Sequence, residues 1–419
     1  RTNELRNDDG DHLSMICKLP KLLGNSSNLL PKLRLRMSPL PFWKTGTPTS
    51  YSAGEFSFGI IADVQWADAP DGYNYARTVR RCYRASLTTL GDAVDWWLRL
   101  PEPPLFVAQL GDLIDGVNNE AQLGQTDLAL KLALDHLGRL PCPSVNLVGN
   151  HELYNFDRRQ LAEAWWLQHG DKEYYSFFPA EGWRVVVLDS YQISLIGHSE
   201  DDPRRLEAVE ILARENPNVS PDGKDGDWLK GMEDAGYQRR FCPFNGGFGR
   251  EQLDWFRSEL KAAAEVGERV LVMSHVIIHP EACGGSTMTW DYEEALNVIR
   301  SDEAAGCVAA VLCGHDHSGN YHRDEFGVHH CTFKSPLSGG KAFGLMKVEA
   351  GYLEIQAPTI NDLLPDVEGR PSPTTIDNNL ASGPCESIKL QLSDVDASPV
   401  MKEKKIRPST MADQEIVAA

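Results

Sequence analysis

The sequence predicts an α/β fold with buried sheets, and three observations carry that prediction. Short apolar runs of strand length recur through the middle of the chain. Longer stretches with apolar residues at helical spacing lie between them. The residues directly after the runs are polar and mostly flanked by glycine. The runs are 56–62, 105–110, 144–148, 184–188, 269–273 and 308–313, several of them rich in Val and Ile. Continuous apolar runs of this kind suit strands covered on both faces. The helical stretches are 75–100, 120–140, 250–266 and 290–300.

Composition narrows the class. With 42% hydrophobic and 24% charged residues the chain is too apolar to be disordered, and its 419 residues can bury a large core without disulfides. Asp and Glu exceed Lys and Arg, 60 to 41, for a net charge of −19. That surface argues against nucleic acid and against an anionic membrane as partners. No apolar run reaches the roughly 18 residues a membrane span needs. The 9 cysteines form no C-x-x-C pair, which speaks against a zinc knuckle and for reduced thiols.

Both ends differ from the middle. Residues 12–54 hold no acidic residue but carry Lys18, Lys21, Lys32, Arg34, Arg36 and Lys44. Residues 1–54 therefore read either as a transit-like leader or as sequence upstream of a start at Met37. The first reading admits a plastid or mitochondrion, the second the cytoplasm. Residues 357–419 contain no Phe, Trp or Tyr and read as a mostly disordered tail. The catalytic domain is expected at 55–356, as a monomer.

The residues directly after each strand define the candidate site. The strand ends carry Asp63-Val64-Gln65, Gly111-Asp112, Gly149-Asn150-His151-Glu152, Ser274-His275 and Gly314-His315-Asp316-His317. Ligands of open α/β sheets gather at the carboxyl ends of strands. Asp63, Gln65, Asp112, Asn150, His275, His315 and His317 offer oxygen or imidazole nitrogen and no thiolate. Such a set suits manganese, iron or zinc more than a soft metal. A carboxylate can bridge two cations that clamp a phosphoryl group, and Asp112 is the natural bridge. One metal would take Asp63, Gln65, Asp112 and His317, the other Asp112, Asn150, His275 and His315. Each motif alone is more often a turn, a helix cap or a core histidine than a ligand; the ordered set of five is not.

With these motifs the sequence resembles the calcineurin-like metallophosphoesterases, whose pattern runs D-x-H, GD, GNH[DE], H and GHxH. The resemblance covers about residues 55–356 and implies a four-layer α/β/β/α sandwich with a dinuclear site. Gln65 stands where most members have His. That departure resembles the branch of manganese-dependent ADP-ribose/CDP-alcohol diphosphatases, as do Asn216-Pro217-Asn218, Phe244-Asn245-Gly246-Gly247-Phe248, Glu251-Gln252-Leu253 and Phe326-Gly327-Val328-His329-His330. The branch implies hydrolysis of the pyrophosphate bond of a small nucleotide: ADP-ribose to AMP and ribose 5-phosphate, or CDP-choline-type substrates to CMP and an alcohol phosphate. The cofactor implied is two divalent ions, manganese first, with magnesium, iron or zinc as alternatives.

In that resemblance His151 acts near the leaving group, and for a phosphate leaving group it is expected mainly to stabilise charge. Asp115 and Glu152 are expected to orient ligands. Asn245, Gly246 and Phe248 are candidate substrate contacts, with backbone amides toward phosphate and a ring under a base; a packed loop is the alternative. Trp66, Tyr73 and Tyr75 are candidates to line the cleft, His279 is expected to pack, and residues 194–245 form either a lid or a surface loop. The competing functions are a protein phosphatase or cyclic-nucleotide phosphodiesterase on the same scaffold, and a non-catalytic scaffold protein.

Overall fold

The computed structural model describes residues 54–74, 77–163, 173–220, 227–232, 234–376 and 384–393. The expected leader, apart from Gly54, lies outside the described residues, as do Tyr75 and the last 26 positions, 394–419. The first half of the chain forms β1 (Phe56–Ile61), a short ribbon of β2 (Gly72–Tyr73) and β3 (Arg80–Arg81), and α1 (Tyr83–Leu98). It continues through β4 (Val107–Gln109), α2 (Thr126–Leu137), β5 (Ser144–Asn146), α3 (Asn150–Asn155) and α4 (Arg158–Glu163). There follow β6 (Tyr175–Ala180), β7 (Trp183–Val187), α5 (Pro203–Glu215), α6 (Gly249–Val266), β8 (Arg269–Ser274) and α7 (Tyr292–Ile299). The last part holds β9 (Val308–Cys313), β10 (Asn320–Arg323), β11 (His329–Thr332), β12 (Phe343–Val348) and β13 (Tyr352–Ala357). It closes with α8 (Ile360–Leu363), β14 (Thr374–Ile376) and β15 (Cys385–Gln391).

Two mixed sheets stack face to face. The first runs β14-β15-β13-β12-β1-β4-β5, the second β10-β11-β9-β8-β7-β6. Strand alternation sorts the side chains into layers. Phe58 and Ile60 point between the sheets, with Phe106, Met346 and Ile388 from the first and Val185, Leu271 and Leu312 from the second. The Phe58 and Phe106 rings stack at 4.8 Å. Ile61 points the other way, onto Trp97 of α1 and Leu134 of α2. On the far side Val186, Val272 and Val311 meet Phe256 and Leu260 of α6 and Leu296 of α7. The order helix, sheet, sheet, helix is the four-layer sandwich, and each large apolar side chain buried in it contributes about 1.5–3 kcal/mol.

Local chemistry explains where the elements start. The stretch 75–100 has the spacing of one helix, yet α1 begins only at Tyr83. Asn74 Oδ1 accepts from the amides of Thr78 and Val79, which turns the chain into the β2–β3 ribbon first. The α6 N-terminus is satisfied from outside: Asp291 accepts from the amides of Phe248 and Gly249. Its C-terminus ends on Gly267 in the left-handed conformation. Residues 194–245 hold α5, started by Asp202 accepting from Arg204 N with Pro203 in the first turn. They bury a small core of their own: Leu195, Ala208, Leu212, Val219 and Phe241, with Ile193 and Trp290.

The C-terminal expectation is corrected. The domain does not end at residue 356. β15 pairs antiparallel with β13 from Tyr352↔Gln391 to Ala357↔Glu386, and Ile388 and Leu390 enter the core between the sheets. Absence of aromatic residues does not prevent a strand from packing, because alternating Ile and Leu bury enough surface once a partner edge exists.

Candidate active site

Seven strand-end residues converge. Asp112 Oδ2 receives the Gln65 amide at 3.0 Å and lies 3.3 Å from His275 Nε2. Gln65 Nε2 lies 2.9 Å from His317 Nε2, and that nitrogen is 3.7 Å from Asp63 Oδ1. On the other side His275 Nε2 is 3.4 Å from Asn150 Oδ1. The ligand atoms offered by Asp112, His275 and His315 all lie within 4.8 Å of one another. The two halves, Asp63–Gln65–His317 and Asn150–His275–His315, thus meet at Asp112.

Backbone conformation makes this convergence possible. Asp63, Gln65, Asp112 and His315 all have positive φ, between 45° and 67°. A non-glycine residue there is strained and persists only where its surroundings hold it. Two glycines make the room. A Cβ at Gly111 would lie 2.3 Å from His275 Nδ1, and one at Gly149 would lie 2.0 Å from Asp112 Oδ1. Their place beside the motif residues is therefore steric.

Tautomers follow from the partners. His275 Nδ1 lies 2.8 Å from the Leu110 carbonyl, so it carries a hydrogen in either protonation state, and Nε2 is the nitrogen that would offer a lone pair to a cation. Burial opposes protonation of this ring, but the Asp112 carboxylate beside it outweighs burial and raises its pKa to about 9. His315 Nε2 lies 2.7 Å from Asn245 Oδ1, while the Asn245 amide donates to the Arg240 and Ser286 carbonyls. The Asn245 oxygen must then accept, which leaves the His315 lone pair on Nδ1. His317 Nε2 faces the donating amide of Gln65 and so holds a lone pair there.

The residues fit two divalent cations. Asp63 and Asp112 are fully buried, and among the described contacts neither carboxylate is bonded to Lys or Arg. Burial raises the Asp63 pKa to about 8, with the charge of Asp112 adding to it. Asp112 is itself held well below the carboxylate range, because its neighbouring imidazoles outweigh burial. His315 and His317 are kept neutral, mainly by burial. The Gln65 amide nitrogen occupies a point where lone pairs of Asp112 and His317 converge, and its buried Oε1 has no hydrogen-bond partner among the described residues. Converging donors, two buried carboxyl groups with no Lys or Arg bonded to them and a spare oxygen donor are what a cation would satisfy.

Around these residues lies a supporting shell. The Glu152 carboxylate accepts from the amides of Asp112, Leu113 and Gly149, which locks two motif loops together. Ser335 Oγ donates to the Asp63 carbonyl. Tyr191 Oη donates to Asn150 Oδ1 at 3.1 Å. Tyr191 was not legible as a site residue: it comes after the strand at 184–188, whose end carries Asp189-Ser190-Tyr191 without glycine or histidine. Being a sixth strand end was the available signal.

His151 lies at the edge of the group. Its Nδ1 is 2.7 Å from the Gly116 amide and 3.3 Å from Asp115 Oδ2. The amide places the hydrogen of the neutral ring on Nε2, which is 3.9 Å from Asp112 Oδ2. Burial opposes protonation of this ring, but the Asp112 and Asp115 carboxylates outweigh it and raise its pKa. Its side chain stays 13% exposed, enough to meet a substrate.

The expected substrate contacts fall differently. Asn245 orients His315. Gly246 packs on the Ser190 and Ile193 carbonyls, where a Cβ would lie 2.5 Å from the former. Phe248 is fully buried in the α6 core, so its ring has no open face for a base. An aromatic group of this segment that does border the site is Phe244, with its ring 5.9 Å from that of His315, backed by Trp228 at 6.3 Å. Trp66 is buried, and Tyr73 points to solvent at 62% exposure. Arg81 on β3, unmarked by any motif, puts positive charge beside His317 and Asp115.

Comparison with known proteins agrees with this geometry. The family model described as calcineurin-like phosphoesterase matches residues 56–319. The chain belongs to the calcineurin-like phosphoesterase family. Among its relatives in the family, a mouse (Mus musculus) protein named manganese-dependent ADP-ribose/CDP-alcohol diphosphatase is 37% identical over 323 residues, 72% of this chain and 90% of its own. An Arabidopsis thaliana protein of the same name is 36% identical and covers 72% of this chain and 93% of its own. The solved structure of a dimetal phosphatase from Danio rerio superposes with a TM-score of 0.67 at 31% identity, covering 81% of this chain and 100% of that one. All five phosphoesterase motifs lie inside the span matched by the family model, and β12–β15 complete the first sheet beyond it.

Proposed function

We propose that this protein is a manganese-dependent diphosphatase that hydrolyses the pyrophosphate bond of ADP-ribose and of CDP-alcohols such as CDP-choline. The products are a nucleoside monophosphate and a sugar or alcohol phosphate. The observation that carries the reading is the match, over about nine-tenths of their own length, to animal and plant proteins named for that activity. Gln65 supports it, since an amide oxygen in place of an imidazole favours a hard cation such as manganese.

Two divalent cations, when bound, polarise the phosphoryl oxygens and supply an activated water. Asp63, Gln65 and His317 would hold one and Asn150, His275 and His315 the other, with Asp112 shared. The remaining work belongs to side chains at the rim. His151 presents Nε2–H toward the leaving phosphate, and Asp115 and Asp112 stabilise the ring when it is cationic. A phosphate leaving group needs little protonation, so His151 acts mainly by countering charge. Arg81 attracts the diphosphate, and Phe244 offers a ring edge to the nucleotide. A panel of ADP-ribose, CDP-choline, cAMP and a phosphopeptide, assayed with manganese, magnesium and zinc, tests the proposal. Turnover of the first two with manganese is expected; faster turnover of cAMP or the phosphopeptide overturns it.

A further inference from the structure

A second group of buried donors lies outside the catalytic ligands. His279 lies in the loop after β8, Asp324 ends the β10 side of a hairpin, and His330 sits on β11. All three are buried, and their ligand atoms lie within 4.8 Å of one another. The His322 ring stacks on His279 at 4.6 Å, and the His330 ring lies 4.4 Å from it. The carboxylate is already aimed: Asp324 Oδ1 accepts from the amides of Phe326 and Val328, which leaves Oδ2 toward His330 Nε2 at 3.3 Å.

The hydrogen bonding of this group does not close. His279 Nδ1 faces the Glu281 amide at 3.2 Å and His279 Nε2 faces Arg300 Nη2 at 3.1 Å. Both neighbours can only donate, whereas a neutral imidazole has a single lone pair to offer. Protonating the ring would make it worse, and burial together with its cationic neighbours pushes the His279 pKa down to about 3. His330 Nδ1 is buried with no hydrogen-bond partner among the described residues, and so is Arg300 Nε. Arg300 Nη2 is also 3.3 Å from Asp324 Oδ2. A cationic nitrogen therefore already stands between a histidine and a carboxylate, at a point that suits positive charge but not an N–H donor toward His279.

We propose that His279, Asp324 and His330, with His322 as a fourth donor, form a zinc site separate from the catalytic centre, which Arg300 fills when zinc is absent. Three imidazoles and one carboxylate, without thiolate, are a donor set that zinc accepts. Arg300 has somewhere to go: exposed Glu325 lies 3.7 Å from its guanidinium, which also stacks over Phe326 at 5.1 Å. Zinc here joins the β10–β11 hairpin to the loop that begins at His275, a catalytic-site residue.

Zinc titration of the full-length protein by equilibrium dialysis with metal analysis tests this. The wild type is expected to bind one more equivalent than a His279→Gln/His330→Gln variant. Arg300→Gln is expected to bind that equivalent at least about tenfold tighter, because removing a like charge from a cation site relieves repulsion. Asp112→Asn is expected to keep it, which separates this site from the catalytic reading. Equal zinc content in the wild type and the double variant, or unchanged affinity in Arg300→Gln, overturns the proposal. Should the double variant not fold, anomalous diffraction at the zinc edge from zinc-soaked wild-type crystals decides. A peak between His279 and Asp324 supports the site; peaks at the Asp112 cluster alone overturn it.

Discussion

At the scale of single residues the proposed chemistry rests on Gln65 and His151. The Gln65 amide lies between Asp112 and His317, where an imidazole would supply a nitrogen ligand. Gln65→His is therefore expected to move the preference of the chelated and reloaded enzyme from manganese toward zinc or iron. Activity recovered on titrating each metal back checks this, and an unchanged order of metals would refute it. His151 touches the site only by its outer edge. His151→Ala should lower kcat by about 10²–10³-fold and leave the bound-metal content unchanged, as losing one charge-stabilising donor does elsewhere. Metal analysis alongside kcat separates that outcome from a collapsed site. At this scale the sequence was most legible for the seven residues that converge on Asp112 and its neighbours, because each stands beside a glycine or in a short pattern after an apolar run. It was least legible for Tyr191 and Arg81. Their roles depend on which loops the fold brings together, and no local pattern marks them. Phe248 shows the converse: it stands in a glycine-aromatic motif, yet the start of α6 turns its ring into the core.

Elements decide how the ligands are held, and here strands and helices differ in how far the sequence showed them. The parallel strands were readable as apolar runs because both faces are covered. β10 and β11 were harder because each has only 4 residues, several of them polar, such as His329 and His330, and β15 because polar residues such as Lys389 break up its apolar pattern. β15 nonetheless supplies Ile388 and Leu390 to the core. Deleting residues 385–419 should remove about 3–6 kcal/mol of apolar burial, comparable with the whole stability of a domain. Loss of soluble protein, or of the cooperative urea transition, is the expected readout; a fully folded truncation would show that β15 is dispensable. β15 is also tied across the sandwich. His329 on β11 lies 2.9 Å from the Gln391 carbonyl and 2.9 Å from Tyr321 Oη, the bonds of a neutral ring. Burial lowers its pKa to about 4 against an ordinary 6.5. Between those values the unfolded chain binds a proton that the folded chain does not, so stability rises with pH through that window and is lost as pH falls. His329→Gln should take up to about 1.4 kcal/mol per pH unit off that slope. Urea melts at several pH values across the window from about 4 to 6.5 measure it; an unchanged slope would mean that His329 is protonated in the native state.

The whole molecule carries a net charge of −19, which at first sight disfavours an anionic substrate. Part of that charge is placed where cations would meet it. Asp63 and Asp112 are buried at the meeting point of six strand ends, and Arg81 adds positive charge at the rim. The same arrangement links metal binding to folding. Two carboxylates held together without a cation repel each other, and four ligand residues in the left-handed region add strain that contacts must offset. A cation that binds only the folded state then stabilises it by mass action, by about 2.7 kcal/mol when free metal is a hundred times its dissociation constant. The melting temperature of the chelated protein should therefore climb with manganese concentration, continuing to rise after the sites are saturated. Asp112→Asn removes the shared carboxylate and should flatten that dependence, while the chelated variant melts at or above the chelated wild type because one buried charge is gone. A variant that melts lower than the wild type in chelator would show that Asp112, which accepts from the Gln65 side chain at 3.0 Å and from the His151 backbone amide at 2.8 Å, holds the loops together independently of any metal.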